Sequence, residues 1–283
     1  MADVRVVTDS GADLSPEVVE RLGITVIPLV VRFGETVYLD GELSIDEFWD
    51  KVSQGPHHPA TSQPAMGVFE QAFAQLVDAG HPVLCVTITG RHSGTYHGAM
   101  SAARGFGDRV KVLDSQFLSL AQGFQVIAAA QAAVEGRHLE EVAAHAERVR
   151  ERTRLLILLD TIEYIHRGGR ADVMVPLLSR VTKVLQIRPV LNMVDGQLGL
   201  QGLVRSYGRG LEFLEQEATR LQPVEDVAVM HVRGQQMAQD LARRLAEDLG
   251  VAHERIWVAE TGPLLATHSG PRVVGVVVVR RGL

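Results

Sequence analysis

Ser93 stands in the stretch Gly90-Arg91-His92-Ser93-Gly94-Thr95-Tyr96-His97, directly after an apolar run over residues 82–89. A hydroxyl at such a strand-to-helix turn can attack a substrate or hold one. Attack needs a general base and an oxyanion hole. The usual elbow for it is G-x-S-x-G, and here the first glycine comes one place too early. Holding needs only donors, and a helix start beside a hydroxyl is a ready anion site. A second hydroxyl cluster, Thr61 and Ser62 in Pro59-Ala60-Thr61-Ser62-Gln63-Pro64-Ala65, precedes another amphipathic pattern. Two hydroxyl-bearing helix starts can share one carboxylate or phosphate, and two independent caps satisfy the spacing equally well.

Other chemistries fit the residues less well. Asp9 after the first apolar run suits a phosphatase nucleophile, but the acid such enzymes need two places on is Gly11. The eleven histidines include no His-Glu-x-x-His and no His-x-x-x-His on a helical pattern, so no metal site is expected. No phosphate-cradling G-x-x-x-x-G-K-[ST] or G-x-G-x-x-G follows the first strand. The lone cysteine, Cys85, sits inside the apolar run and reads as a core thiol. One cysteine allows no internal disulfide, which suits a reducing cytoplasm. A net charge of −6, with basic residues scattered, argues against a nucleic-acid binder. The N-terminal residues show no secretory pattern, and no apolar run reaches the roughly 18 residues that span a bilayer, so a cytoplasmic protein without stable membrane insertion is expected.

The elements that must carry these residues follow from periodicity. β-Branched runs at 4–8, 24–31, 83–87, 109–113, 155–159, 227–231 and 273–279 read as strands. Between them, Val68, Phe69, Ala72, Phe73, Leu76 and Val77 recur at helical spacing, as do Leu139, Val142, Ala143, Ala146 and Val149, and Met237, Leu241, Leu245 and Leu249. Ser15-Pro16-Glu17 and Ser44-Ile45-Asp46-Glu47 are helix starts, the second with the form of a capping box. Such alternation predicts an α/β fold with a mainly parallel sheet and helices on both faces. Residues 186–205 break the rhythm as a hairpin turning on Asp195-Gly196, which predicts a second, mixed-sheet domain. The expected domains are 1–152 and 153–283, with the terminal strand free to return to the first. Four strands end alike, in Thr8-Asp9-Ser10, Ile88-Thr89-Gly90, Leu113-Asp114-Ser115 and Leu159-Asp160-Thr161. In a parallel sheet such ends converge on the edge where ligands bind.

Thr8-Asp9-Ser10-x-x-Asp13-Leu14, Thr61-Ser62-Gln63-Pro64, Ser93-Gly94-Thr95-Tyr96, Leu159-Asp160-Thr161-Ile162-Glu163-Tyr164, Gly168-Gly169-Arg170, Ile187-Arg188-Pro189-Val190-Leu191, Gly196, Val204-Arg205 and Thr267-His268-x-Gly270-Pro271 resemble the DegV family in order and spacing. The resemblance implies a two-domain DegV-like fold with one long-chain fatty acid in a tunnel between the domains. It also implies that Thr61, Ser93 and His268 hold the carboxylate, with Ser62 and Gly94 beside them. Similar proteins are non-catalytic subunits that need no cofactor. They present the fatty acid to a separate ATP-dependent fatty acid kinase subunit, which makes acyl phosphate for phospholipid synthesis. In that picture Arg170 and Arg205 lie near the carboxylate or on the kinase-docking face. The rival readings are a Ser93-dependent acyl-ester hydrolase and a carrier of another amphipathic acid without a kinase partner. The chain departs from the family pattern at Ala65, where serine is common, and at Arg272, where glycine is usual. The run Arg205-Ser206-Tyr207 is also less basic than the pattern.

Overall fold

The computed structural model describes residues 3–169 and 187–282, in two compact units, Met1–Glu151 and Arg152–Leu283. In the first unit, β1 (Arg5–Asp9) leads through a short turn into α1 (Pro16–Leu22) and β2 (Thr25–Ile27). A three-stranded excursion follows: β3 (Val30–Phe33), β4 (Thr36–Leu39), α2 (Ile45–Gln54) and β5 (Pro59–Ser62). The chain then alternates through α3 (Met66–Asp78), β6 (Val83–Thr87), α4 (Thr95–Ala103), β7 (Val110–Asp114), α5 (Leu120–Val134) and α6 (Leu139–Arg152).

The main sheet of this unit is parallel, in the order β2-β1-β6-β7. Its central strands β1 and β6 are buried on both faces, because side chains alternate across the sheet and helices cover each side. Val4, Val6, Leu84 and Val86 pack with α5 and α6 through Val126, Ala129, Ala133, Val142 and Ala146. Val7, Val83 and Cys85 pack on the other face with Phe69, Phe73 and Val77 of α3 and Ala99 and Ala103 of α4. The capping box at Ser44 forms as its spacing predicts, with the Ser44 hydroxyl accepting from Glu47 N–H and the Glu47 carboxylate accepting from Ser44 N–H.

The strand expected over 24–31 is two strands in two sheets. Pro28 has no N–H to give a ladder. The chain therefore leaves the parallel sheet after β2, and β3 starts a separate antiparallel sheet ordered β4-β3-β5.

In the second unit, β8 (Thr153–Leu158) and α7 (Glu163–Arg167) precede the hairpin of β9 (Arg188–Val194) and β10 (Gln197–Val204). Asp195 and Gly196 take φ of 48° and 78°, as the Asp-Gly pair predicts. Then come α8 (Tyr207–Thr219), β11 (Val224–His231), α9 (Gln235–Leu249), β12 (Ile256–Glu260), α10 (Pro263–Ser269) and β13 (Val274–Arg280). The mixed sheet runs β10-β9-β8-β13-β11-β12. The terminal strand β13 lies inside this sheet, antiparallel to both β8 and β11, and does not return to the first unit. One face of the sheet, through Leu156, Leu158, Val227, Val229, Val274, Val276 and Val278, packs on Leu214 and Ala218 of α8 and on Leu241, Leu245 and Leu249 of α9. Among the described residues no helix is long and apolar enough to cross a membrane.

Candidate functional site

Three of the four similar strand ends meet in the first unit. Asp9 is fully buried at the end of β1. Its carboxylate accepts from Ile88 N–H at 2.7 Å, from Gly11 N–H at 2.9 Å and from the Gln122 amide of α5 at 3.3 Å. Burial dominates these bonds and pushes its carboxyl up to about 6. Asp9 thus ties the end of β6 to the end of β1, a structural task that uses both of its oxygens. Asp114, at the end of β7, accepts from Gly90 N–H at 3.1 Å and from Gln116 N–H at 2.8 Å. Thr89 N–H bonds to the Phe117 carbonyl at 2.9 Å. The loop that leaves β6 is therefore pinned at Ile88, Thr89 and Gly90 by acceptors from its neighbours on both sides.

Beyond those pins stands Ser93, half-buried. Its Oγ lies 2.8 Å from Thr95 Oγ1 and accepts from Thr95 N–H at 3.3 Å. Among the described residues its hydrogen bonds run to Thr95 and to no histidine or carboxylate, so a paired general base is not present at the hydroxyl. Gly94 is the N-cap of α4 and brings no side chain to that role. His97 is exposed and meets Tyr96 edge-on at 5.3 Å between ring centroids.

The hydroxyls of the other cluster are not on a helix start. Thr61 and Ser62 belong to β5, opposite Val31 and Val30 of β3, and α3 begins at Met66 with Ala65 as a cap that makes no side-chain bond. The strand ladder takes their backbone groups, and Pro64 separates them from the helix. What joins this segment to the Ser93 turn is Gln63. A Cβ placed on Gly94 would fall 1.7 Å from Gln63 Oε1, and one on Gly98 would fall 3.5 Å from Gln63 Nε2. The Gln63 side chain therefore lies across the first turn of α4, in space that only a glycine at 94 leaves open. The motif Thr61-Ser62-Gln63-Pro64 does not by itself give Gln63 a role; the paired glycines at 94 and 98, one helical turn apart, are the sequence signal that marks its seat.

In the second unit, His268 is half-buried near the end of α10. Its ring packs against Gly168, where a Cβ would fall 2.3 Å from Nδ1. Gly270, at φ 78°, is covered by the Tyr164 ring at 2.5 Å from a notional Cβ. The Gly168-Gly169 and Thr267-His268-x-Gly270 motifs thus meet as the two halves of one packing contact between α7 and α10. Arg205 is exposed between β10 and α8. Arg170 lies outside the described residues. Cys85 is fully buried, and burial raises its thiol well above the ordinary range, as a core thiol requires. No group of three or more His, Cys, Asp or Glu among the described residues is placed to hold a metal ion.

The family model of the DegV proteins, described as uncharacterised, matches residues 3–281. The chain belongs to the DegV family. A DegV domain-containing protein of Streptococcus pneumoniae is 33% identical over 98% of this chain and 99% of its own length. Among solved structures, "Fatty Acid Binding of a DegV family Protein from Thermus thermophilus" is 29% identical with a TM-score of 0.86, over 98% of this chain and 99% of that one. A stearic acid-binding protein from Eubacterium ventriosum is 26% identical, also with a TM-score of 0.86, over 99% of this DegV chain and 98% of its own.

Proposed function

We propose that this DegV protein binds one long-chain fatty acid non-covalently and catalyses no reaction. The observation that carries the reading is the likeness, over nearly the whole chain at 29% identity, to a DegV structure described by its fatty acid binding. The first unit supports it physically. Among the described residues the Ser93 hydroxyl bonds to Thr95 alone, which leaves it a donor for a carboxylate, and Gln63 joins its turn to the strand that bears Thr61. The proposed carboxylate ligands are Thr61, Ser93 and His268, with Ser62 and Gly94 adjoining. Neutral donors hold a carboxylate without burying a full ion pair, which leaves its oxygen reactive toward a phosphoryl donor. The alkyl chain supplies most of the affinity, at about 0.8 kcal/mol per buried methylene.

The reading extends to presentation of that carboxylate to a separate cytoplasmic kinase subunit for acyl phosphate formation, with Arg170 and the exposed Arg205 as docking residues. Native mass spectrometry of purified protein tests the binding step: about one fatty acid per chain is expected. Protein that arrives empty and takes up no added fatty acid would overturn the proposal. Ser93→Ala is expected to lose ligand, whereas loss of an esterase activity with binding intact would favour a hydrolase. Charge removal at Arg205 should impair acyl phosphate formation with a kinase while leaving binding unchanged.

A further inference from the structure

Asp160, just beyond β8, is shared by two arginines from different parts of the second unit. Arg188 Nε, at the start of β9, donates to Oδ1 at 2.7 Å, and Arg272 Nε, ahead of β13, lies 3.9 Å from Oδ2. Two guanidiniums on one carboxylate leave one positive charge uncompensated. Among the described residues, the terminal nitrogens of both guanidiniums make no protein hydrogen bond, so each fork keeps its outer edge for another acceptor.

Arg272 is also held more firmly than a surface arginine ordinarily is. Its backbone is in the left-handed region at φ 57°, a conformation that favours glycine. Its N–H bonds to the Val232 carbonyl at 3.1 Å, and its carbonyl accepts from the Tyr207 hydroxyl at 2.6 Å. The guanidinium lies over the Tyr207 ring, 5.2 Å from its centroid. Tyr207 stays neutral there, because burial pushes its hydroxyl up to about 12. Yet the Arg272 side chain remains 54% exposed, against 25% for Asp160 and 25% for Arg188. A planar donor fixed on both its backbone and its face, and open on its outer edge, loses little freedom on meeting an anion.

We infer that Arg188 and Arg272 form a binding site for a phosphate monoester group, with Asp160 as the internal carboxylate that holds the two forks in place and competes with the ligand. A phosphate monoester suits the pair better than a second carboxylate, because it carries up to two charges and three oxygens toward two forks. The site uses residues of the second unit alone and does not depend on the fatty acid reading.

The test is a titration with inorganic phosphate, read from the arginine Nε–Hε resonances of the intact protein, with acetate as the control anion. Phosphate should move the Arg188 and Arg272 signals saturably, and acetate should not. Arg272→Gln, at a half-exposed position, should weaken phosphate binding about tenfold or more. Asp160→Asn should tighten it severalfold, since the competing charge is gone. Pelleting with phosphatidylcholine vesicles containing phosphatidic acid distinguishes the sources. Pelleting abolished by Arg272→Gln assigns a lipid headgroup, and saturable shifts without pelleting assign a dissolved monoester. Unmoved arginine signals, or an Arg272→Gln protein that titrates like the wild type, would overturn the inference, and so would weaker binding by folded Asp160→Asn. If Asp160→Asn fails to fold, the Arg272→Gln comparison decides alone. Fatty acid content, measured on the same samples by mass spectrometry, keeps the two functional readings separable.

Discussion

Gln63 lies across Gly94 so closely that a Cβ on Gly94 would fall 1.7 Å from its side-chain oxygen. The β5 segment and the α4 turn are coupled through this contact, although 31 positions separate the two residues in sequence. Gly94→Ala must therefore displace Gln63 while costing α4 little, because Gly94 already has right-handed backbone angles. The expected result is a near-native melting temperature with fatty acid occupancy reduced severalfold in native mass spectra. Gln63→Ala should relieve the clash, so the double variant should resemble Gln63→Ala alone.

Gly168 plays the same part beneath His268. Alanine at 168 would put a methyl carbon 2.3 Å from His268 Nδ1, at a backbone conformation any residue adopts. The imidazole must move, and fatty acid retention should fall about as far as in His268→Ala. Equal retention by Gly168→Ala and the wild type would remove His268 from the carboxylate site.

Asp9 should leave a pH signature in stability. An unfolded aspartate ionises near 3.8, and buried Asp9 near 6. The native state holds its proton longer than the unfolded state does, so the stability contributed by the proton is complete below pH 3.8 and lost as pH rises through 6. The loss is roughly 3 kcal/mol. Asp9→Asn cannot titrate. The difference in urea unfolding free energy, wild type minus variant, should shrink by roughly that amount between these pH values. A difference that stays constant would mean that Asp9 ionises at its ordinary value.

Cys85 should be inert in the native protein. Burial withholds both access and the thiolate. An aromatic disulfide reagent is expected to label it only after denaturation, at a rate that tracks unfolding. Rapid labelling of the folded chain would contradict the packing of β6 against α3 and α4.

The alternating pattern made most of the fold legible. Residues 83–87 read as a buried strand and form β6, and the periodic residues 68–77, 139–149 and 237–249 are helices. Asp195-Gly196 announced its hairpin because few dipeptides tolerate two positive φ angles. The strand β12 is not legible in the sequence, since Ile256-Trp257-Val258-Ala259-Glu260 has only two β-branched residues, fewer than the equally short β6. Pro28 was legible as a residue but not as the point where the chain changes sheets.

At the site, residue type and local spacing established that Ser93 follows a buried strand and that its glycine frame is wrong for a nucleophile elbow. Those properties are local, and the sequence carries them whole. Which distant groups meet is a different kind of fact. That Asp9 and Asp114 pin the loop before Ser93, that Gln63 fills the space above Gly94, and that Arg188 and Arg272 share Asp160 all depend on strand order and side-chain packing. Only the tertiary structure decided them, because contacts between residues far apart in sequence form only when the elements that bear them have packed.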